Sequence, residues 1–191
     1  AGSPLPTPSG KIEIFSKTID SFGYADCPGH PTWLPPADVP GKDHPLQLIA
    51  NQPVTRLHSQ LDFGGYSASQ KRREREVASL HPADAAARGI SDGDIVRLFN
   101  ARGSCLASAR VTQDIRQGVI QLQTGAWSGR KEVNGDKPLC VHGNPNVRPR
   151  DVGTSSLAQG CTGQLTTVQC ERFTGNLPPI QAFDPPAAVK V

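Results

Sequence analysis

A small closed or half-closed β-barrel, mainly β with short flanking helices and long loops, is the fold this sequence predicts. Three observations carry the prediction. The apolar segments that read as strands are short and separated by glycine-containing turns. Only one or two stretches have helical character. Gly (19) and Pro (18) together make up about a fifth of the 191 residues, against a usual share of about 12%. Many short strands bury their apolar faces best by closing on themselves, which also removes exposed edges. The length fits one domain, with room for a real core that needs no disulfide or metal staple.

The elements follow in order. Residues 1–44 read as an irregular lead-in that would pack on a part of the protein outside this chain. Residues 1–10 are Ser-, Pro- and Gly-rich, and 11–15 have the imperfect alternation of one short strand. Cys27-Pro-Gly-His30-Pro31 and Pro35-Pro36 then forbid continuous helix or sheet. The barrel is expected over 45–175. Residues 46–50 are an apolar run suited to a buried strand, 71–75 a charge cluster suited to a solvated loop, and 77–80 another extended segment. Residues 82–88 read as a short helix, because Pro82 suits the first turn, the alanines favour helix and Gly89 suits the cap. Strands at 95–100 and 104–112 form a hairpin around Arg102-Gly103, with Gly103 expected at positive φ. A further strand at 119–123, a long loop at 125–136 carrying Trp127, and a last strand at 165–172 complete the barrel. A Pro-rich tail occupies 176–191.

Composition excludes several function classes. Twenty basic and seventeen acidic residues leave a net charge of +3, too little to argue for nucleic acid. No apolar run approaches the roughly 18 residues that a transmembrane helix needs, so no membrane partner is expected. The five cysteines are odd in number, widely spaced and without a C-x-x-C pair. They read as small hydrophobes in a reducing compartment, which points to the cytoplasm, or to the periplasm if a preceding segment carries an export signal. Met is absent even at position 1, which points to a processed or excised chain. No G-x-S-x-G or P-loop pattern occurs, and His58 beside Ser59 says nothing of catalytic geometry. Cys27-x-x-His30 and Cys140-x-His142 are half-sites too far apart to make a zinc centre on spacing alone. No catalytic residue and no metal ligand is singled out.

Three polar segments lie where loops should join strands: 51–60, 142–147 and 153–164. The first offers amide, guanidinium, imidazole and hydroxyl groups with no carboxylate before Asp62, a set better suited to holding a heterocycle or phosphate than to hydrolysis. The third carries three glycines, which permit close backbone approach. Each segment taken singly has the composition of an ordinary turn.

Taken together they resemble one family. Arg56-Leu57-His58-Ser59-Gln60, the 82–94 stretch, Gly118-Val119-Ile120-Gln121, Gly125-Ala126-Trp127, Asn144-Pro145-Asn146-Val147 and the 153–160 stretch resemble, in order and spacing, the C-terminal molybdopterin-guanine-dinucleotide-binding domain of the dimethyl sulfoxide reductase family. The wording at 142–146 looks most like biotin sulfoxide reductase and the S- and N-oxide reductases related to it. The resemblance implies a double-psi β-barrel that grips molybdenum bis(molybdopterin guanine dinucleotide) in a full-length oxidoreductase. There the N-terminal catalytic domains of the same polypeptide hold the metal ligand. It implies oxygen-atom transfer from a small S-oxide or N-oxide, with this chain inactive alone. It implies cofactor contacts from Gln52, Arg56, His58, Ser59, Asn146, Gly163 and Gln164, Arg56 anchoring either its loop or an anion. Two stretches depart from the family pattern: Arg148-Pro149 stands where relatives have Leu-Thr, and Ser128-Gly129 follows Trp127 where they have Tyr-Asp-Pro. The first is expected to alter backbone donors near the pterin, the second a surface loop only. The alternative from another class is a free-standing β-barrel binding module with no catalytic partner.

Overall fold

The computed structural model describes residues 2–181, apart from 134, 136, 149, 151, 159 and 161–165. Length alone favours one domain, yet the chain divides into two compact units, residues 1–37 with 151–162 and residues 38–150 with 163–191.

The smaller unit is mostly loop. Among its described residues one helix forms, α1 (Lys17–Asp20), starting at Ser16, whose hydroxyl accepts from the Ile19 amide at 3.3 Å. The Ser16 amide donates to the Gly29 carbonyl. A Cβ on Gly29 would lie 2.8 Å from the Ser16 oxygen, so only glycine allows that approach. The strand expected at 11–15 does not form: Ile12 and Ile14 lie exposed with no neighbouring strand to pair with.

The larger unit is the barrel. Its strands are β1 (Leu46–Ile49), β2 (Val77–Leu80), β3 (Ile95–Asn100), β4 (Gly103–Val111), β5 (Val119–Leu122), β6 (Arg130–Lys131), β7 (Leu139–Cys140) and β8 (Thr166–Arg172). Six of them close a ring in the order β2-β5-β1-β8-β3-β4, and β4 returns to β2 in parallel. The β1–β5 pair is also parallel and the others antiparallel, which is the double-psi β-barrel. β7 and β6 extend the sheet beyond β4, so the expected loop at 125–136 contains a short strand. Alternate positions fill the interior: Leu46 and Leu48, Ile120 and Leu122, Val96 and Leu98, Val168 and Cys170 are all fully or almost fully buried. A smaller cluster of Ile95, Leu106, Val133, Leu139 and Val141 receives Leu177 and Ile180 from the tail.

The helix α2 (Gly65–Ser69) follows the first site loop. The helix α3 (Pro82–Ala86) begins as expected, with Pro82 in its first turn and the His81 ring accepting from the Ala83 amide at 3.1 Å. Gly89 sits at φ +61°, the left-handed conformation that ends the helical turn. The β3–β4 hairpin also forms, in the register Asn100↔Gly103. Gly103, however, is not at positive φ. Its glycine is required for another reason: a Cβ there would stand 2.3 Å from the Val147 carbonyl oxygen.

Pairing direction decides which loops can meet. The ends of β1, β3 and β5 and the starts of β2, β4 and β8 share one end of the barrel. The loops at 51–63 and 123–129 and the approach to β2 therefore converge there. The 142–148 segment joins them, since Val147 packs on Gly103 and the Arg148 carbonyl accepts from Asn100 Nδ2 at 3.1 Å.

Candidate functional site at one end of the barrel

The loop leaving β1 is held from within by a buried set of four charges. Arg56 Nη2 donates to Glu76 Oε1 at 2.9 Å and to the Thr124 carbonyl at 3.0 Å. Arg56 Nε lies 3.4 Å from Asp62 Oδ1. Lys71 Nζ closes the set, 2.7 Å from Asp62 Oδ1 and 3.5 Å from Glu76 Oε1. All four side chains are at most 6% exposed. Two cations balance two carboxylates, which is how buried charges are tolerated. Burial pushes the Glu76 carboxyl above its usual range, while the neighbouring Arg56 and Lys71 oppose that shift.

This corrects the reading of 71–75 as a solvated cluster. Arg72, Arg73 and Glu74 do face solvent to varying degrees, but Lys71 is drawn inward and Arg75 is 1% exposed. The reason is a tight turn. Arg72 and Arg75 exchange backbone hydrogen bonds, with Arg73 and Glu74 both at positive φ. The turn throws the flanking Lys71, Arg75 and Glu76 toward the barrel. Arg75 donates to the carbonyls of Arg73 and Pro178, fastening the tail.

An aromatic group braces the same loop. Asp62 Oδ2 accepts from the Trp127 amide at 3.1 Å, and Trp127 Nε1 donates to the Ser59 carbonyl at 2.8 Å. Phe63 meets the Trp127 and His142 rings at 5.2 and 5.6 Å between centroids, and Lys71 Nζ stands 5.0 Å from its centre. Gly125, at φ +87°, lets the loop settle: a Cβ there would fall 1.9 Å from the His58 carbonyl oxygen. His58 and Leu61 hold left-handed backbones at φ 51° and 57°, uncommon for such residues and sustained by the charges and rings beneath.

Of the expected contact residues, four present polar groups at this end. Gln52 is exposed and closes its loop, donating to the Arg56 carbonyl at 3.0 Å and accepting from Thr124 Oγ1 at 3.4 Å. His58 and Ser59 are exposed at the loop crest. Asn146 is exposed in the 3₁₀ turn Pro145–Val147, whose start is capped by Asn144 Oδ1 accepting from the Asn146 amide at 2.9 Å. The side chains of His58, Ser59 and Asn146 make no hydrogen bond to other described residues. Arg56 is buried and fully engaged with its own chain, which makes it the anchor of the loop. Gly163 and Gln164 lie outside the described residues. Residues 153–158 belong to the smaller unit, where Ser155 Oγ accepts from the Leu157 and Ala158 amides at 3.3 and 3.0 Å. Among the described residues no three His, Cys, Asp or Glu side chains are grouped to hold a metal ion.

The two family departures both reach deeper than expected. Gly129 is buried, and a Cβ there would lie 2.5 Å from His142 Nε2, so this is a packing position and not surface loop alone. Arg148 is fully buried, with Nη1 2.7 Å from Cys105 Sγ and 3.3 Å from the Leu98 carbonyl. Its backbone carbonyl is consumed by Asn100 and Arg102. Burial pushes the Cys105 thiol up, and Arg148 opposes that shift.

Asp62, Lys71 and Glu76 were not legible as site residues. Each is an ordinary charge in a polar stretch, and only the closing of the barrel brings them to Arg56. The one available signal was Arg56 itself, a cation in a loop without a carboxylate before Asp62.

The molydopterin dinucleotide binding domain family matches residues 46–167, from the first barrel strand into the last. The chain is 45% identical over 191 residues to the trimethylamine-N-oxide reductase of Haemophilus influenzae, covering 98% of this chain and 23% of that protein. It is 43% identical to the dimethyl sulfoxide/trimethylamine N-oxide reductase of Rhodobacter capsulatus, with the same coverage. It is 46% identical over 175 residues to the biotin sulfoxide reductase of Cereibacter sphaeroides, covering 91% of this chain and 23% of that one. The chain thus spans about a quarter of the length of these relatives. Among solved structures, acetylene hydratase from Pelobacter acetylenicus shares the fold, with a TM-score of 0.70 at 21% identity, covering 90% of this chain and 25% of that one. A barrel end of exposed polar groups on a buried ionic frame fits a ligand site, and the family match across that barrel gives the conclusion: the chain belongs to the molydopterin dinucleotide binding domain family.

Proposed function

We propose that this barrel end binds molybdenum bis(molybdopterin guanine dinucleotide). The chain then serves as the cofactor-binding part of a longer oxidoreductase that reduces S-oxides or N-oxides. The donor set fits such a ligand. The amide of Asn146, the imidazole of His58 and the hydroxyl of Ser59 can each donate and accept, and none is bonded to another described residue. They can pair with the edges of a pterin or guanine ring, which presents both kinds of group. Gln52 and Arg56 keep the first loop in shape, and Gly163 and Gln164 are assigned to the same ligand from the segment before β8. Bound there, the cofactor supplies the oxygen-atom transfer and its two-electron chemistry; the chain supplies position and hydrogen bonding.

The observation that carries this reading is the frame under the loop: four buried charges and three rings fix a crest whose own polar groups are unused. A loop held so rigidly loses little entropy when it binds. The exposed apolar side chains of the lead-in, among them Ile12, Ile14 and Trp33, are assigned to packing against the rest of that longer polypeptide. A cytoplasmic location is proposed from the cysteine usage, with Cys105, Cys140 and Cys170 buried and free.

The test is Asn146→Leu in the full-length enzyme. The substitution keeps bulk and removes both hydrogen-bonding functions. Bound molybdenum and pterin should fall, with activity falling in proportion to occupancy. Full cofactor content with unchanged activity would overturn the assignment of Asn146.

A further inference from the structure

Three segments of the barrel unit, far apart in sequence, converge on one carboxylate. Asp38 is the first residue of that unit, and its side chain is 9% exposed. Its Oδ2 accepts from Thr166 Oγ1 at 2.8 Å and from Arg102 Nη2. Its Oδ1 accepts from Arg150 Nε at 3.0 Å. Arg102 spans the same group, donating through Nη2 to Thr166 Oγ1 and through Nε to the Arg148 carbonyl. Thr166 opens β8, Arg102 sits in the β3–β4 turn, and Arg148 and Arg150 follow the Asn146 turn directly.

Rigidity at Asn146 has to come from somewhere. The turn has three residues and a single side-chain cap on its entry side. On its exit side the chain is tied at the Arg148 carbonyl and again at Arg150, and both ties lead to Asp38. An isolated surface ion pair would contribute little. Here one nearly buried carboxylate receives three charge-assisted or hydroxyl hydrogen bonds from three separate segments, a network that fixes geometry.

We infer that Asp38 is a positioning residue of the proposed site: its carboxylate holds the exit of the Asn146 turn and the start of β8 so that Asn146 is presented to the ligand. This inference rests on the cofactor reading above. The charged groups facing Asp38 are Arg102 and Arg150. Burial works to raise its carboxyl, but the hydrogen bonds from Thr166 and Arg102 and the charges of Arg102 and Arg150 outweigh it and hold the carboxyl below the usual range. A depressed folded-state pKa means the clamp is intact above the ordinary aspartate value of about 4 and is lost as pH falls through the depressed one.

Two measurements on the 191-residue chain and its Asp38→Asn variant test this. Amide hydrogen exchange at neutral pH should quicken in the variant at 145–148 and 166–168 by about tenfold, the scale of one or two lost charge-assisted hydrogen bonds. Peptides covering 55–62 should not change. GDP, a probe for the guanine half of the ligand, should bind the variant about tenfold more weakly by calorimetry. Its affinity for the wild-type chain should decline on acidification below the aspartate range, and the variant should lack that limb. Should Asp38→Asn fail to fold, Arg150→Gln removes one exposed arm of the clamp and should quicken exchange at 145–148 to a smaller degree. Unchanged exchange there in the folded variant overturns the clamp. GDP binding that Asp38→Asn leaves intact overturns the positioning role alone, whereas no GDP binding by the wild-type chain overturns the cofactor reading beneath it.

Discussion

Glu76 shows how much a single side chain carries in this molecule. It neutralises Arg56 and Lys71 in a space from which water is nearly absent. Glu76→Ala leaves two buried cations facing Asp62 alone. The expected cost is about 3–5 kcal/mol, the range for breaking a buried pair by removing one partner. A denaturant midpoint within error of wild type would count against the buried set. Asn146→Leu should behave in the opposite way. The side chain is exposed and bonds no other described residue, so stability should stay within about 0.5 kcal/mol of wild type while cofactor binding suffers. The contrast explains what could be read from sequence at this scale. His58, Ser59 and Asn146 advertise themselves as polar groups in turn-forming stretches, and the role proposed for them needs them exposed. Lys71 and Glu76 look like any surface charge until the fold encloses them, since nothing local tells a lysine which carboxylate it will meet.

Elements were more legible than residues, and for a physical reason. Period-two apolar runs bounded by Gly, Asp and Pro depend on local chemistry, so β1, β2, β3, β5 and α3 fall where the sequence places them. The run at 11–15 has similar alternation but no pairing strand, and alternation without a partner does not make a sheet. Gly103 teaches the complementary lesson. Turn chemistry suggested positive φ, whereas the contact with Val147, distant in sequence, is what excludes a side chain. Gly103→Val should therefore destabilise by about 1–3 kcal/mol through overpacking, and should also loosen the Asn146 turn that rests on it. Unchanged chemical shifts at 145–148 would rule that coupling out. The turn before β3 supplies a pH test. Asp92 accepts from the Val111 amide at 2.9 Å and pairs with Arg72 at 3.0 Å. The Val111 hydrogen bond is the main cause of its depressed carboxyl pKa; burial opposes it, and Arg72 adds to the lowering. Its stabilisation is thus present above the ordinary aspartate value and fades as pH falls through the depressed one. In urea titrations across acid pH, Asp92→Asn should flatten that part of the profile; an identical slope in both proteins would remove Asp92 from the account.

At the scale of the whole molecule, pairing direction matters most. Two parallel and four antiparallel contacts close the ring and bring the 51–63 and 123–129 loops to one end, where the contacts of Val147 and Arg148 add the 142–148 segment. Composition and turn spacing pointed to a barrel. They could not tell which loops would share an end, because register and strand order are set by contacts across the whole chain. The chain also matches about a quarter of the length of its relatives, so the purified 191 residues should fold yet show no turnover of trimethylamine N-oxide or a sulfoxide with a reduced dye. Measurable turnover would contradict the division of labour proposed here. The most direct test of the central claim is a hydrogen-exchange footprint of the proposed longer enzyme, compared with and without its proposed molybdenum cofactor. Protection should appear at 52–60 and 144–148 and leave the opposite end of the barrel, at 84–94 and 112–118, unchanged. Protection confined to that opposite end, or absent from both loops, would contradict it.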